Sequence, residues 1–195
     1  MKVSNIDTSA VPHVLVTEDA LPTMFIEKLI GMFEENAGDL QISTDFKEVR
    51  HFREINISLH WQDIHDMFVV CVQESWKVYM GHMKVQFDVQ WPRQFGYEQF
   101  RMKRYMPNNK DQFGLHTDVG SYSSARRFLA FQWYLNTPTR GGETGFGINP
   151  ENPQLIVPAV CGRMLMFPPL WTHPHWGAKV HESPKYIVTG YLHYI

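Results

Sequence analysis

Cysteine is scarce: Cys71 and Cys161 are the only two in 195 residues. They stand far apart, one in a helical pattern and one before a glycine turn. A disulfide-stapled scaffold is therefore excluded, and two reduced, structural thiols are expected. Long apolar runs are missing too; none approaches the roughly 20 residues a membrane-spanning helix needs. The opening residues, Met1-Lys2-Val3-Ser4-Asn5-Ile6-Asp7, lack the basic-then-apolar pattern of a secretory signal. There is no basic block. Eighteen Lys and Arg stand against twenty Asp and Glu, for a net charge of −2, which leaves no electrostatic footprint for nucleic acid. Internal repeats and low-complexity linkers are absent, and so is the His-Glu-x-x-His helix of many zinc hydrolases. These absences point to one cytoplasmic domain spanning 1–195, with a peptide, protein or small molecule as its partner and neither nucleic acid nor membrane.

What is present divides near residue 83. The apolar fraction of 44% is enough for a substantial core. Leu21, Phe25, Leu29 and Phe33 follow one another at helical spacing after Pro22, with Gly38 just past the expected end. A longer helical stripe runs from about His60 to Gly81 through Trp61, Ile64, Phe68, Cys71, Val72 and Tyr79. Beyond Lys84 the pattern becomes one of strands and turns: Val85–Val89, Glu98–Tyr105, Gln112–Val119, Arg127–Leu135, Glu143–Phe146, Leu155–Val157, Arg163–Phe167 and Lys185–Ile195. Many short strands at even spacing predict a sandwich or barrel. The fold class is thus α+β, mostly β: a barrel over about 84–195, packed on one sheet by helical support from about 1–83. Arg127–Leu135 is apolar on both faces, which suits a central strand. Met102, Met106, Met164 and Met166 read as core, and Arg126-Arg127 as a solvated or salt-bridged pair.

The chemistry begins at His116-Thr117-Asp118. Residues i and i+2 of a strand leave the same face, so an imidazole and a carboxylate emerge side by side. With a second His from a neighbouring strand they would form a two-His, one-carboxylate metal site with open positions. His173, His175 and His181 are the distal candidates.

Over residues 98–195 the chain resembles the prolyl 4-hydroxylase-like branch of the Fe(II)/2-oxoglutarate-dependent dioxygenases. The resemblance rests, in order, on Arg104-Tyr105, His116-Thr117-Asp118, Arg127-Phe128, Tyr134-Leu135-Asn136 and Gly141-Gly142-Glu143-Thr144. It continues through Gly162-Arg163, Met166-Phe167 and His175 with Lys185. The segment Trp171-Thr172-His173-Pro174-His175-Trp176-Gly177 is similar to small single-domain members, including phage-encoded ones. The resemblance implies a double-stranded β-helix, or jelly-roll. It also implies Fe(II), 2-oxoglutarate and O2 as cofactor and cosubstrates, with ascorbate as an optional reductant.

In that family the distal His precedes a basic residue by about ten positions, which selects His175 with Lys185 and makes His116, Asp118 and His175 the metal and catalytic set. His173 and His181 fall in turns. Lys185 would anchor the distal carboxylate of 2-oxoglutarate, since a buried cation needs a partner. Thr189, on the same face of that strand, would donate its hydroxyl. Tyr134 would stand beside the same carboxylate, and Tyr105 nearer the metal; both also fit as core aromatics with a polar tip. Trp171, Trp176 and Tyr122 flank the metal segments and are candidates for a substrate-facing rim. The implied reaction is hydroxylation of an unactivated C–H, such as that of a prolyl residue, with release of succinate and CO2. Asp118 favours it over halogenation, because related halogenases lack that carboxylate. Two alternatives remain open: a zinc hydrolase, and a catalytically silent metal-binding member acting as a binding protein.

Overall fold

The computed structural model describes residues 1–36, 41–44 and 50–195. Two short strands, β1 (Lys2–Val3) and β2 (Leu15–Glu18), precede helix α1 (Thr23–Glu35). Pro22 sits just before it at φ −65°, an angle already suited to a helix entry, and Phe25, Ile26, Leu29 and Phe33 bury one face. Gly38 lies outside the described residues. After β3 (Gln41–Thr44) and β4 (Arg50–Asn56), the helical stripe expected from His60 is broken in two. A single turn, α2 (Ile57–His60), is followed by Trp61 at φ −134° and then by α3 (Gln62–Met83). The strand expected over Val85–Val89 is instead a helical turn, α4 (Phe87–Gln90). Five alternating residues are too few to separate the two periods. Here the Gln90 side chain accepts from the Gln86 backbone N–H at 2.9 Å, and Phe87 stacks on Trp76 of α3.

The remaining strands are β5 (Phe95–Tyr97), β6 (Arg101–Tyr105), β7 (Gln112–His116), β8 (Arg127–Tyr134), β9 (Thr144–Phe146), β10 (Leu155–Val157), β11 (Met164–Phe167), β12 (His175–Gly177) and β13 (Lys185–Tyr194). Their order is β1-β2-β11-β8-β13-β6-β4-β7-β12-β9-β10, with β3 on β4 and β5 on β13. Every pairing among the described residues is antiparallel. The sheet curls into the expected jelly-roll, mostly β with few helices. The first half is not helical support alone: β2 and β4 are members of the sheet, and β4 lies between β6 and β7. No described helix is long and apolar enough to cross a membrane.

Strand parity divides the interior. Met102, Leu129, Phe131, Trp133, Met164, Met166, Val188 and Leu192 face the helices, where Phe68 of α3 packs on Trp133 at 5.0 Å between ring centroids. The alternate residues of the same strands point into the barrel: Ala130, Tyr134, Leu165, Phe167 and Ile187 form a second cluster beneath the site. Both cysteines are free, Cys71 on α3 and Cys161 exposed.

Candidate metal centre and cosubstrate pocket

His116 ends β7 and His175 begins β12, and the two are direct register partners across that pairing. Residues far apart in sequence therefore stand side by side, their ring centroids 4.3 Å apart. Asp118, two residues beyond His116, completes a cluster whose ligand atoms all lie within 4.8 Å of one another. His116 Nε2 is 3.5 Å from Asp118 Oδ1, and His175 Nε2 is 3.7 Å from Oδ2.

Hydrogen bonds set both imidazole tautomers. His116 Nδ1 lies 2.8 Å from the Gly114 carbonyl, and His175 Nδ1 lies 3.0 Å from the His173 carbonyl. A carbonyl only accepts, so each Nδ1 carries the proton, and in the neutral ring each Nε2 presents a lone pair to the cluster. Support of this kind on the second nitrogen is how metal-binding histidines are oriented. His116 Nε2 is buried and has no hydrogen-bond partner among the described residues, which a bound metal would supply. Phe113 stacks on His116 at 3.6 Å, while Phe146 and Phe167 flank His175. Burial pushes the His175 pKa down to about 4, so the ring is neutral at neutral pH. Burial alone would raise the Asp118 carboxyl, but His175, His116 and Tyr191 outweigh it and hold it well below its ordinary range. Neutral imidazoles and an ionised carboxylate are the protonation states a divalent cation requires.

Asp118 is braced from outside the cluster. Tyr191 donates its hydroxyl to Oδ1 at 2.9 Å. Arg127 donates to the Asp118 backbone carbonyl at 2.9 Å, grips Glu98 with Nε and Nη2, and lies over the Tyr191 ring at 4.0 Å. The pairing expected of Arg127 is thus present, and it holds the metal segment. Neither Tyr191 nor this role of Arg127 was evident in the sequence. The only signal for Tyr191 was its parity with Lys185 and Thr189 along β13.

The cluster lies at the junction of a narrow inner cavity with an outer cleft of about 800 Å³. At the inner end is Lys185, 2% exposed, whose Nζ donates to the Gly142 carbonyl at 3.0 Å. Gly141 and Gly142 both have positive φ, +81° and +86°, which glycine adopts without strain. No carboxylate lies within ion-pairing distance of this ammonium among the described residues. Burial lowers its pKa to about 8. Thr189 also lines the cavity. Tyr105 is the register partner of Lys185, and its ring lies 4.6 Å below the ammonium. It therefore stands at the lysine end of the cavity rather than the metal end expected for it. Tyr134 is not among the described residues lining the cavity. Its hydroxyl donates to Thr144 at 2.7 Å, and Thr144 and Gln132 reach the cavity in its place.

Of the remaining histidines, His173 is buried, with Nε2 2.7 Å from the Pro12 carbonyl, and it supports His175 through its own carbonyl. His181 is exposed. Of the expected aromatic rim, Trp176 lines the inner cavity, while Trp171 and Tyr122 are exposed and line neither space.

Residues 100–193 match the family model of the 2OG-Fe(II) oxygenase superfamily. The chain carries that match over 94 of its 195 residues, a stretch that holds His116, Asp118, His175 and Lys185. It is a 2-oxoglutarate-dependent dioxygenase of prolyl 4-hydroxylase-like fold, and its cofactor and cosubstrates are Fe(II), 2-oxoglutarate and O2. Three solved structures similar to it are prolyl hydroxylases, and at these identities the likeness concerns fold alone. The viral collagen prolyl hydroxylase of Paramecium bursaria Chlorella virus-1 superposes with a TM-score of 0.70 at 16% identity, over 97% of this chain and all of that one. A Pseudomonas putida prolyl-4-hydroxylase gives 0.70 at 15%, over 94% and 93%. A Trichoplax adhaerens prolyl hydroxylase, in complex with a hypoxia inducible factor peptide fragment, gives 0.70 at 13%, over 93% and 83%. A search of curated proteins finds no match.

Proposed function

We propose that this dioxygenase hydroxylates an unactivated C–H bond, with iron held by His116, Asp118 and His175 and 2-oxoglutarate anchored by Lys185. The observation that carries the proposal is a pairing of opposites within one cavity. Two Nε2 lone pairs and an ionised carboxylate converge at one end, within 4.8 Å of one another, and a buried ammonium with no carboxylate partner among the described residues stands at the other. Bound together, iron and cosubstrate supply an oxidative decarboxylation that sends one oxygen atom of O2 into succinate, releases CO2, and leaves the other for the substrate carbon.

The chain's own residues provide position and exclusion. His116 and His175 offer lone pairs because their Nδ1 protons are engaged by carbonyls. Asp118 stays ionised and is held in place by Tyr191 and Arg127. Lys185 pairs with the distal carboxylate, Thr189 adds a hydroxyl beside it, and Tyr105 shields that ion pair with its ring. Tyr134 acts through Thr144. Trp176, Phe113 and Phe167 line the cavity with apolar surface and limit water. A zinc hydrolase would have no use for a buried cation at the inner end. A prolyl ring is the substrate that the names of the structural neighbours suggest, and it is carried over here as an analogy.

The expected result is succinate formation that requires Fe(II), 2-oxoglutarate and O2 together, with products one oxygen atom heavier. Succinate formation independent of added Fe(II), or none with any substrate offered, would contradict the reading.

A further inference from the structure

Lys103 holds neither the iron nor the cosubstrate in this arrangement. It lies on β6, two residues before Tyr105 and on the same inward face, opposite Ile187 of β13. It lines both the inner cavity and the outer cleft, and so marks the junction between them. It is 7% exposed. Its Nζ lies over the rings of Phe52 and Phe113, at 5.1 and 5.6 Å, and Phe113 is the ring stacked on His116. The ammonium is thus held on aromatic faces close to the metal cluster.

The other charges of the cleft are engaged. Arg101 pairs with Glu54 at 3.3 Å, Arg127 grips Glu98, and Arg50 reaches the Thr44 carbonyl. Among the described residues, Lys103 Nζ has neither a hydrogen bond nor a carboxylate within 4 Å. Glu54 is its register partner across β4, but that carboxylate is drawn to Arg101. A buried cation facing a cavity without a partner is costly, and an incoming anion relieves that cost. The Lys185 anchor accounts for the distal carboxylate of 2-oxoglutarate, and the carboxylate beside the keto group would be taken by the metal, which leaves neither for Lys103. When the charges of the metal, Asp118, the cosubstrate and both lysines are counted together, one positive charge remains over, and a substrate monoanion would cancel it.

We propose that Lys103 determines substrate specificity by receiving a carboxylate of the substrate, which favours carboxylate-bearing substrates over an uncharged prolyl residue within a peptide. The inference rests on the dioxygenase reading above. Free amino acids and acidic peptides share the required chemistry, and the test separates them.

Wild type, Lys103→Met and Lys103→Arg would be loaded anaerobically with Fe(II) and 2-oxoglutarate. Each would be titrated by calorimetry with the free amino acids, including L-proline, with their carboxamides, and with proline peptides with and without a neighbouring Asp or Glu. Succinate formation would be followed in parallel in air. Wild type should prefer an acid to its amide. Lys103→Met should weaken the acid roughly ten- to a hundredfold, the range of a hydrogen bond to a charged group. The amide should be unaffected, Lys103→Arg should retain part of the preference, and Fe(II) and 2-oxoglutarate affinities should hold in both variants. A Lys103-dependent preference confined to the acidic peptides would support carboxylate recognition and place its source in a peptide. Equal binding of acids and amides, an unchanged preference in Lys103→Met, or no binding by any acid would overturn the proposal. So would a raised 2-oxoglutarate requirement in Lys103→Met, because Lys103 would then serve the cosubstrate. Failure of wild type to bind Fe(II) and 2-oxoglutarate would instead count against the dioxygenase site itself.

Discussion

On the outer face of the central strands, Met102, Trp133 and Val188 are sealed beneath α1 and α3; on the inner face, one residue away along the same strands, Lys103, Gln132 and Thr189 look into a polar cavity. The two faces share a backbone and a hydrogen-bond ladder, and they differ only in parity. Apolar packing on one side holds the strands rigid, so that the other side can present cations and carboxylates at fixed distances. A register slip of one residue would exchange them, burying Lys185 against Phe33 and opening Val188 to the cavity. The outer face thus answers for stability and the inner face for ligands, and substitutions should separate the two.

The largest effects come from one deep change on each face. Trp133→Ala should cost about 3–5 kcal/mol of stability, as large aromatic truncations in a core do. Chemical denaturation would read this, and at low temperature the folded fraction should still bind Fe(II). Lys185→Ala should do the reverse. Removing one partner of a buried ion pair costs about 3–5 kcal/mol, or roughly two to four decades in 2-oxoglutarate affinity, while Fe(II) binding persists. A 2-oxoglutarate titration of succinate formation tests it, and an unchanged requirement would remove Lys185 from the anchor. Thr189→Val should have a smaller effect, because a neutral hydrogen bond nets about 0.5–1.5 kcal/mol; the same titration should rank it below Lys185.

The smallest effect is one of pH. Burial lowers the Lys185 pKa from 10.5 to about 8. Between those values the unfolded chain binds more protons than the folded one, so stability without ligand should rise with pH across that window. Over the same window the ammonium is lost, so 2-oxoglutarate affinity should fall above about pH 8 in wild type and stay flat in Lys185→Ala. Calorimetry at a series of pH values distinguishes the two trends.

The parity of β6, β7 and β13 was legible in the sequence, because alternation is local. His116 with Asp118, and Lys185 with Thr189, could be placed on common faces from their numbers alone, and the methionines of β6 and β11 could be assigned to the core. Adjacency of strands was not legible. The pairing of His175 with His116 depends on β12, a strand of three residues that no periodicity reveals, and only the family spacing to Lys185 pointed to it. Tyr105 came out at the lysine end because β6 runs antiparallel to β13 in a register that side-chain chemistry does not disclose. Tyr134 has the right parity, but Thr144 from β9 engages its hydroxyl. Lys103 and Tyr191 were not legible for a simpler reason: nothing local distinguishes a lysine or tyrosine facing a cavity from one facing solvent.

Three side chains, from β7, the turn after it and β12, are proposed to form one iron site. Anaerobic Fe(II) binding, measured by equilibrium dialysis on folded His116→Ala, His175→Ala and His173→Ala, tests it most directly. Wild type should bind one Fe(II) per chain, the first two variants should lose it, and His173→Ala, whose imidazole holds the Pro12 carbonyl, should keep near-normal stoichiometry. Retained binding in His175→Ala, or its loss in His173→Ala alone, would contradict the assignment.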